Sequence, residues 1–151
     1  MSNKQYSKNG LHLTEQFEGC KLNAYPDPAT NGDPWTIGYG HTGAEVHKGM
    51  TITQEQAEEL LMQDVKKAAA TVNAKVTTDI TQEEFDALVD FVFNVGAGNF
   101  AGSTLLRKIN AGDMEGAALE FEKWTHADGK VMAGLLRRRH AEAEEFLSGL
   151  A

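Results

Sequence analysis

The chain has 151 residues, 41% of them hydrophobic and 24% charged, with a formal net charge of −8. That is the size of one domain with enough apolar residues for a core. The acidic balance argues against a nucleic-acid partner, because phosphate neutralisation needs clustered Lys and Arg. One cysteine, Cys20, leaves no intramolecular disulfide, and no zinc-type Cys/His cluster exists, so neither a metal nor a cofactor is expected.

Ser7 or Asn9 is placed to cap a first helix that ends at Gly19. The residues before it lack the apolar run of a signal peptide or a membrane span. From Leu22 to His41 the pattern is short strands and turns, punctuated by Pro26, Pro28, Gly32 and Pro34. There Trp35, Ile37, Tyr39 and His41 share one parity, while Thr36, Gly38 and Gly40 share the other. A continuous strand would therefore set an aromatic face against a hydroxyl flanked by two bare backbone positions, where a ligand could lie close. His41 reads as a structural tie to a carboxylate or carbonyl rather than a base.

Thr53 and Gln56 form a capping-box pattern, followed by Ala57, Leu60, Leu61, Val65, Ala68 and Val72 at helical spacing through Asn73. A second box, Thr81 with Glu84, opens a core helix carrying Phe85, Leu88, Val89, Val92 and Phe93. The glycines of Asn94–Gly98 end it, and Ser103 reads as the cap of the next helix. Gly112 and Asp113 separate that helix from one with the inner face Ala117, Ala118, Phe121 and Trp124. Thr125–Gly134 reads as a surface loop. The last helix starts near Leu135, carries the apolar row Leu136, Ala143, Phe146 and Leu147, and ends at Gly149. Arg137, Arg138 and Arg139 would ordinarily be a solvated patch neutralised by Glu142, Glu144 and Glu145, but successive helical residues point about 100° apart, so the three do not all face water equally. The fold class is α+β, mostly helical.

The chemistry concentrates between Phe17 and Gly43. Glu18 closes a helical pattern beside the row Tyr6, Gly10, Leu13 and Phe17, which withdraws it partly from water, as a proton donor requires. Asp27 follows in a Pro-flanked polar turn with Asn31 and Asp33, where a carboxylate stays solvated. Two carboxyls in unlike surroundings are the equipment of glycoside hydrolysis.

The wording Phe17-Glu18-Gly19, then Tyr25-Pro26-Asp27, then Trp35-Thr36-Ile37-Gly38-Tyr39-Gly40-His41-Thr42-Gly43 resembles the catalytic signature of the phage-type lysozymes (endolysins), glycoside hydrolase family twenty-four. The resemblance implies Glu18 as acid, Asp27 as second carboxylate and Thr36 as holder of the attacking water. It further implies that Thr42, Phe93 and Ser103 contact substrate, and that Arg138 supports the catalytic Glu18, with Arg137 and Arg139 as neighbouring alternatives. The stretch Pro28–Pro34 is longer than the family pattern, so Asp33 competes with Asp27.

The fold so implied is a single lysozyme-like, two-lobed catalytic domain over 1–151. Its β-lobe covers about 20–52, its linking helix about 53–74, and its helical lobe about 75–151 plus the N-terminal helix. The activity implied is muramidase cleavage of the glycan strands of bacterial peptidoglycan, with a lytic transglycosylase or a non-catalytic wall-binding relative as alternatives. The implied setting is a monomer that waits in the host cytoplasm and depends on a separate holin for release to the periplasm and cell wall.

Overall fold

A computed structural model describes residues 4–127 and 129–149. The protein is mostly helical with small antiparallel sheets. Its elements run α1 (Lys8–Glu18), β1 (Lys21–Asp27), β2 (Gly32–Gly38), β3 (His41–Thr42), α2 (Gln54–Lys75), α3 (Gln82–Val95), α4 (Ala97–Ala101), α5 (Thr104–Asn110), α6 (Met114–Glu120), β4 (His126–Ala127), β5 (Lys130–Val131) and α7 (Ala133–Ser148). Among the described residues no helix is long and apolar enough to cross a membrane. The chain divides into two compact units, one of Thr14–Asp64 and one joining the residues up to Leu13 with those from Val65 on.

In the first unit β1, β2 and β3 form a three-stranded antiparallel sheet in chain order. Thr36 pairs with Tyr25 on one side and Thr42 on the other. The strand does not run on to His41 as its alternation suggests. Gly38 (φ +65) and Gly40 (φ +80) turn a corner between β2 and β3, and the left-handed backbone they adopt is disfavoured for side chains with a Cβ. Gly38 does not face a ligand either, because a Cβ there would lie 3.5 Å from the Cα of Ala57. Ile37, Tyr39, Val46, Ile52, Ala57 and Leu61 are the buried apolar residues of this unit. The Thr53 box is complete: its Oγ1 accepts from the Gln56 N–H at 3.1 Å, and Gln56 Oε1 accepts from the Thr53 N–H at 2.9 Å.

The second unit is built on α3, which is buried continuously from Glu84 to Val92 after a complete Thr81–Glu84 capping box. A helix buried on every side does not present one stripe, so Phe91 belongs to the core as fully as Phe85 does. Phe100, Phe121 and Trp124 meet the Phe91 ring edge-on at centroid distances of 6.3, 5.5 and 5.6 Å, the geometry favoured by the ring quadrupole. The N-terminal residues are tied down by polar bonds: Ser7 to the Asp86 carboxylate, and Lys4 to Asn73. The segment read as a surface loop contains a two-stranded ribbon, His126 opposite Val131 and Ala127 opposite Lys130. Leu147, placed in the inner row of the last helix, is 44% exposed.

Candidate active site

Glu18 is the last residue of α1, and Gly19 at φ +65 ends the helix. The Glu18 side chain is half-buried. Its carboxyl stands over the backbone of the β2–β3 corner, where a Cβ added to Gly40 would come within 3.6 Å of Oε1. That is an ordinary van der Waals distance, so it is the positive φ of Gly40 (+80) rather than want of space that favours glycine beside this carboxyl.

Asp27 closes β1 and organises the turn after it. Its Oδ1 accepts the Ala29 N–H at 2.8 Å, while its carbonyl accepts from Thr30 and Asn31 at 3.2 and 2.7 Å. The second oxygen, Oδ2, takes no part in that turn. Asp33 lies beyond the turn in β2 and is exposed, whereas Asp27 is half-buried. Directly opposed residues of antiparallel strands project side by side, so Tyr25, Thr36 and Thr42 form a row across the sheet. Glu18, Asp27, Thr36 and Thr42 therefore all belong to the first unit, on one helix end and the hairpin sheet that follows it.

His41 is held on both ring nitrogens, Nδ1 2.8 Å from Asp64 Oδ2 and Nε2 3.1 Å from Glu45 Oε1. Burial alone would lower its pKa, but the hydrogen bonds and charges of Asp64 and Glu45 outweigh burial and raise it above 6.5. A raised histidine pKa means the folded state binds the proton more tightly than the unfolded chain. The resulting stability is present in full below the ordinary histidine value and is lost as pH rises through the raised one. We expect Asp64→Asn to destabilise the protein by roughly 1–2 kcal/mol at mildly acidic pH. The deficit should fade in alkaline buffer, as measured by urea denaturation; a pH-independent deficit would remove the ion pair from the explanation.

In the second unit Phe93 is half-buried on α3. Ser103 is buried and caps α5: its hydroxyl accepts the Leu106 N–H at 3.0 Å and donates to the Phe100 carbonyl at 2.7 Å. The three arginines differ in exposure, as their helical spacing requires. Arg137 is exposed, but Arg138 and Arg139 are 4% and 0% exposed. Arg138 makes a bidentate pair with Asp90, Nε to Oδ2 at 2.9 Å and Nη2 to Oδ1 at 2.8 Å. Arg139 donates from Nη2 to Asn94 Oδ1 at 2.7 Å and to Glu142 Oε2 at 3.0 Å. Its Nε sits 2.7 Å from Glu142 Oε1 as an ion-pair contact without hydrogen-bond alignment. Its guanidinium lies 5.1 Å above the Phe91 ring centre. Burial of these two is matched by charge pairing, since two guanidiniums face two carboxylates. Arg139 also floors an open cavity of about 400 Å³ lined by Asn94, Asn99, Lys123, Trp124 and His126. Among the described residues no group of three His, Cys, Asp or Glu side chains is placed to hold a metal ion.

Sequence reasoning missed one polar group near Glu18. Alternation places Tyr39 on an aromatic face, yet its hydroxyl bonds to Glu15 and Gln54.

The family model described as phage lysozyme matches residues 15–142. The endolysin of Salmonella phage P22 is 41% identical over 148 residues, covering 95% of this chain and 99% of that protein. The endolysin of Bacillus phage B103 is 45% identical over 143 residues and 95% of this chain, and the chain spans only 54% of that relative's length. Among solved structures, the muramidase domain of SpmX from Asticaccaulis excentricus superposes with a TM-score of 0.87 at 38% identity, covering 96% of this chain and 99% of that one. The endolysin from Escherichia coli O157:H7 phage FAHEc1 gives 0.87 at 39% identity, with 97% and 95% coverage.

Proposed function

This chain belongs to the phage lysozyme family, and on that premise we propose that it is an endolysin with muramidase activity. Its reaction is hydrolysis of the β-1,4 bond between N-acetylmuramic acid and N-acetylglucosamine in bacterial peptidoglycan. Glu18 gives its proton to the glycosidic oxygen as the bond breaks. Asp27 and Thr36 hold a water on the opposite face of the sugar, Asp27 taking its proton as it attacks, which inverts the anomeric centre. Thr42, Phe93 and Ser103 contact the glycan. In the same reading the enzyme waits in the host cytoplasm and reaches the wall once a separate holin has opened the membrane.

The observation that carries this reading is the placement of Glu18. It is a half-buried carboxyl at a helix end, close to Gly40 of the β2–β3 corner and followed within one small sheet by Asp27 and Thr36. A lytic transglycosylase would break the same bond with one acid and no activated water, leaving a cyclised anhydro sugar. Mass spectrometry of the muropeptides released from purified peptidoglycan separates the two. We expect products one water heavier than the anhydro form, each with a new reducing N-acetylmuramic acid end. Anhydro products, or none, would overturn the proposal.

A further inference from the structure

The Tyr39 hydroxyl donates to Glu15 Oε2 at 2.9 Å and accepts from Gln54 Nε2 at 2.7 Å. The other end of the Gln54 amide, Oε1, lies 3.7 Å from the Cys20 Sγ, within reach of a weak S–H donor. The four side chains form one chain of hydrogen bonds with a single consistent direction: thiol to amide oxygen, amide N–H to phenol, phenol O–H to carboxylate. Its two ends fall on either side of Glu18, Glu15 one helical turn before it and Cys20 two residues after it. Its middle is Tyr39, whose neighbour Gly40 backs the Glu18 carboxyl. We propose that this chain positions Glu18, with Tyr39 as its central positioning residue, by fixing the end of α1 against the β2–β3 corner and the first residue of α2.

The surroundings suit that task. Tyr39 is buried, and burial first, then its bond to the Glu15 carboxylate, push its pKa up to about 12. The phenol therefore remains a donor at any pH at which a lysozyme would work. Gln54 is exposed, so its truncation removes the link without opening a hole in the core. None of the four residues reaches the reacting atoms in this scheme, and their effect passes entirely through the orientation of Glu18.

The inference rests on Glu18 being the acid, and its test carries that as a control. Turnover and KM are measured on soluble, un-cross-linked peptidoglycan fragments for Tyr39→Phe, Gln54→Leu, the double variant and Glu18→Gln. A displaced acid loses rate rather than binding, so Tyr39→Phe should lower kcat about tenfold with KM within about twofold. Gln54→Leu should lower kcat in the same way, and the double variant should be no slower than Tyr39→Phe, because links of one chain are not additive. If Tyr39→Phe fails to fold, as judged by circular dichroism, Gln54→Leu alone decides. Wild-type kcat in the folded single variants, a loss confined to KM, or additive losses would overturn the inference. In those cases an inactive Glu18→Gln leaves the acid assignment standing, whereas an active Glu18→Gln removes the premise.

Discussion

Glu18→Gln is expected to slow hydrolysis of peptidoglycan by about 10³-fold or more, while the near- and far-ultraviolet circular dichroism stays at wild type. Glutamine preserves the size of the side chain and replaces the carboxyl proposed to give the proton by an amide that has none to transfer. Glutamine has the same reach as glutamate, so the approach to Gly40 survives the change. Glu18 also ends its helix half-exposed, where substitutions rarely cost much stability. A folded Glu18→Gln enzyme that clears wall suspensions at the wild-type rate would end the assignment. The same assay separates the two candidate partners. Asp27→Asn keeps an oxygen to accept the Ala29 N–H and so keeps the turn, but it loses the carboxylate proposed to activate water. Asp33→Asn alters an exposed residue outside that turn. Loss in the first variant and not in the second is the expected pattern, and the reverse would move the role to Asp33.

The candidate site was legible because it is local. Glu18 through Thr42 fold on themselves as a helix end and a hairpin sheet, so turn residues and alternation in one stretch report its parts together. Alternation failed only at the corner. Gly38 and Gly40 sit at alternate positions and preserve parity through the turn, so a bend between two strands reads like one continuous strand. Both capping boxes were legible for the same local reason, since each links residues three apart. The second unit was less legible where its logic is long-range. Arg138 finds Asp90 across 48 residues of sequence, and nothing within the last helix announces that partner. Helical spacing shows that Arg137, Arg138 and Arg139 do not all face water, but not which two turn inward or which carboxylates meet them there. A single apolar stripe leaves Phe91 out because it assigns every helix a wet side, and α3 has none along most of its length.

That buried charge cluster supports the largest expected effect on stability. Arg139→Met should destabilise the protein by roughly 3–5 kcal/mol, the cost of leaving a buried charge without its partner. Glu142 is fully buried. Without Arg139 its remaining cation is Arg138, whose Nε is 3.9 Å away and whose own pairing is with Asp90. Burial pushes the Glu142 carboxyl well above its ordinary 4.5, Asp90 pushes the same way, and the two guanidiniums pull against them. Removing one guanidinium lets the upward push win further. A carboxylate raised in the folded state makes that state bind the proton more tightly, so stability falls as pH rises from the ordinary glutamate value to the raised one. The deficit of Arg139→Met should therefore be smallest near pH 4.5, where Glu142 is largely protonated, and grow toward neutrality. Urea denaturation in two buffers reads this directly. Adding Glu142→Met to Arg139→Met should recover much of the loss and abolish the pH trend, because an apolar pair of similar volume has no charge to desolvate. A small deficit, equal at both pH values and unchanged in the double variant, would mean that water reaches the cluster and that the ion pairs do not hold α7 to the core.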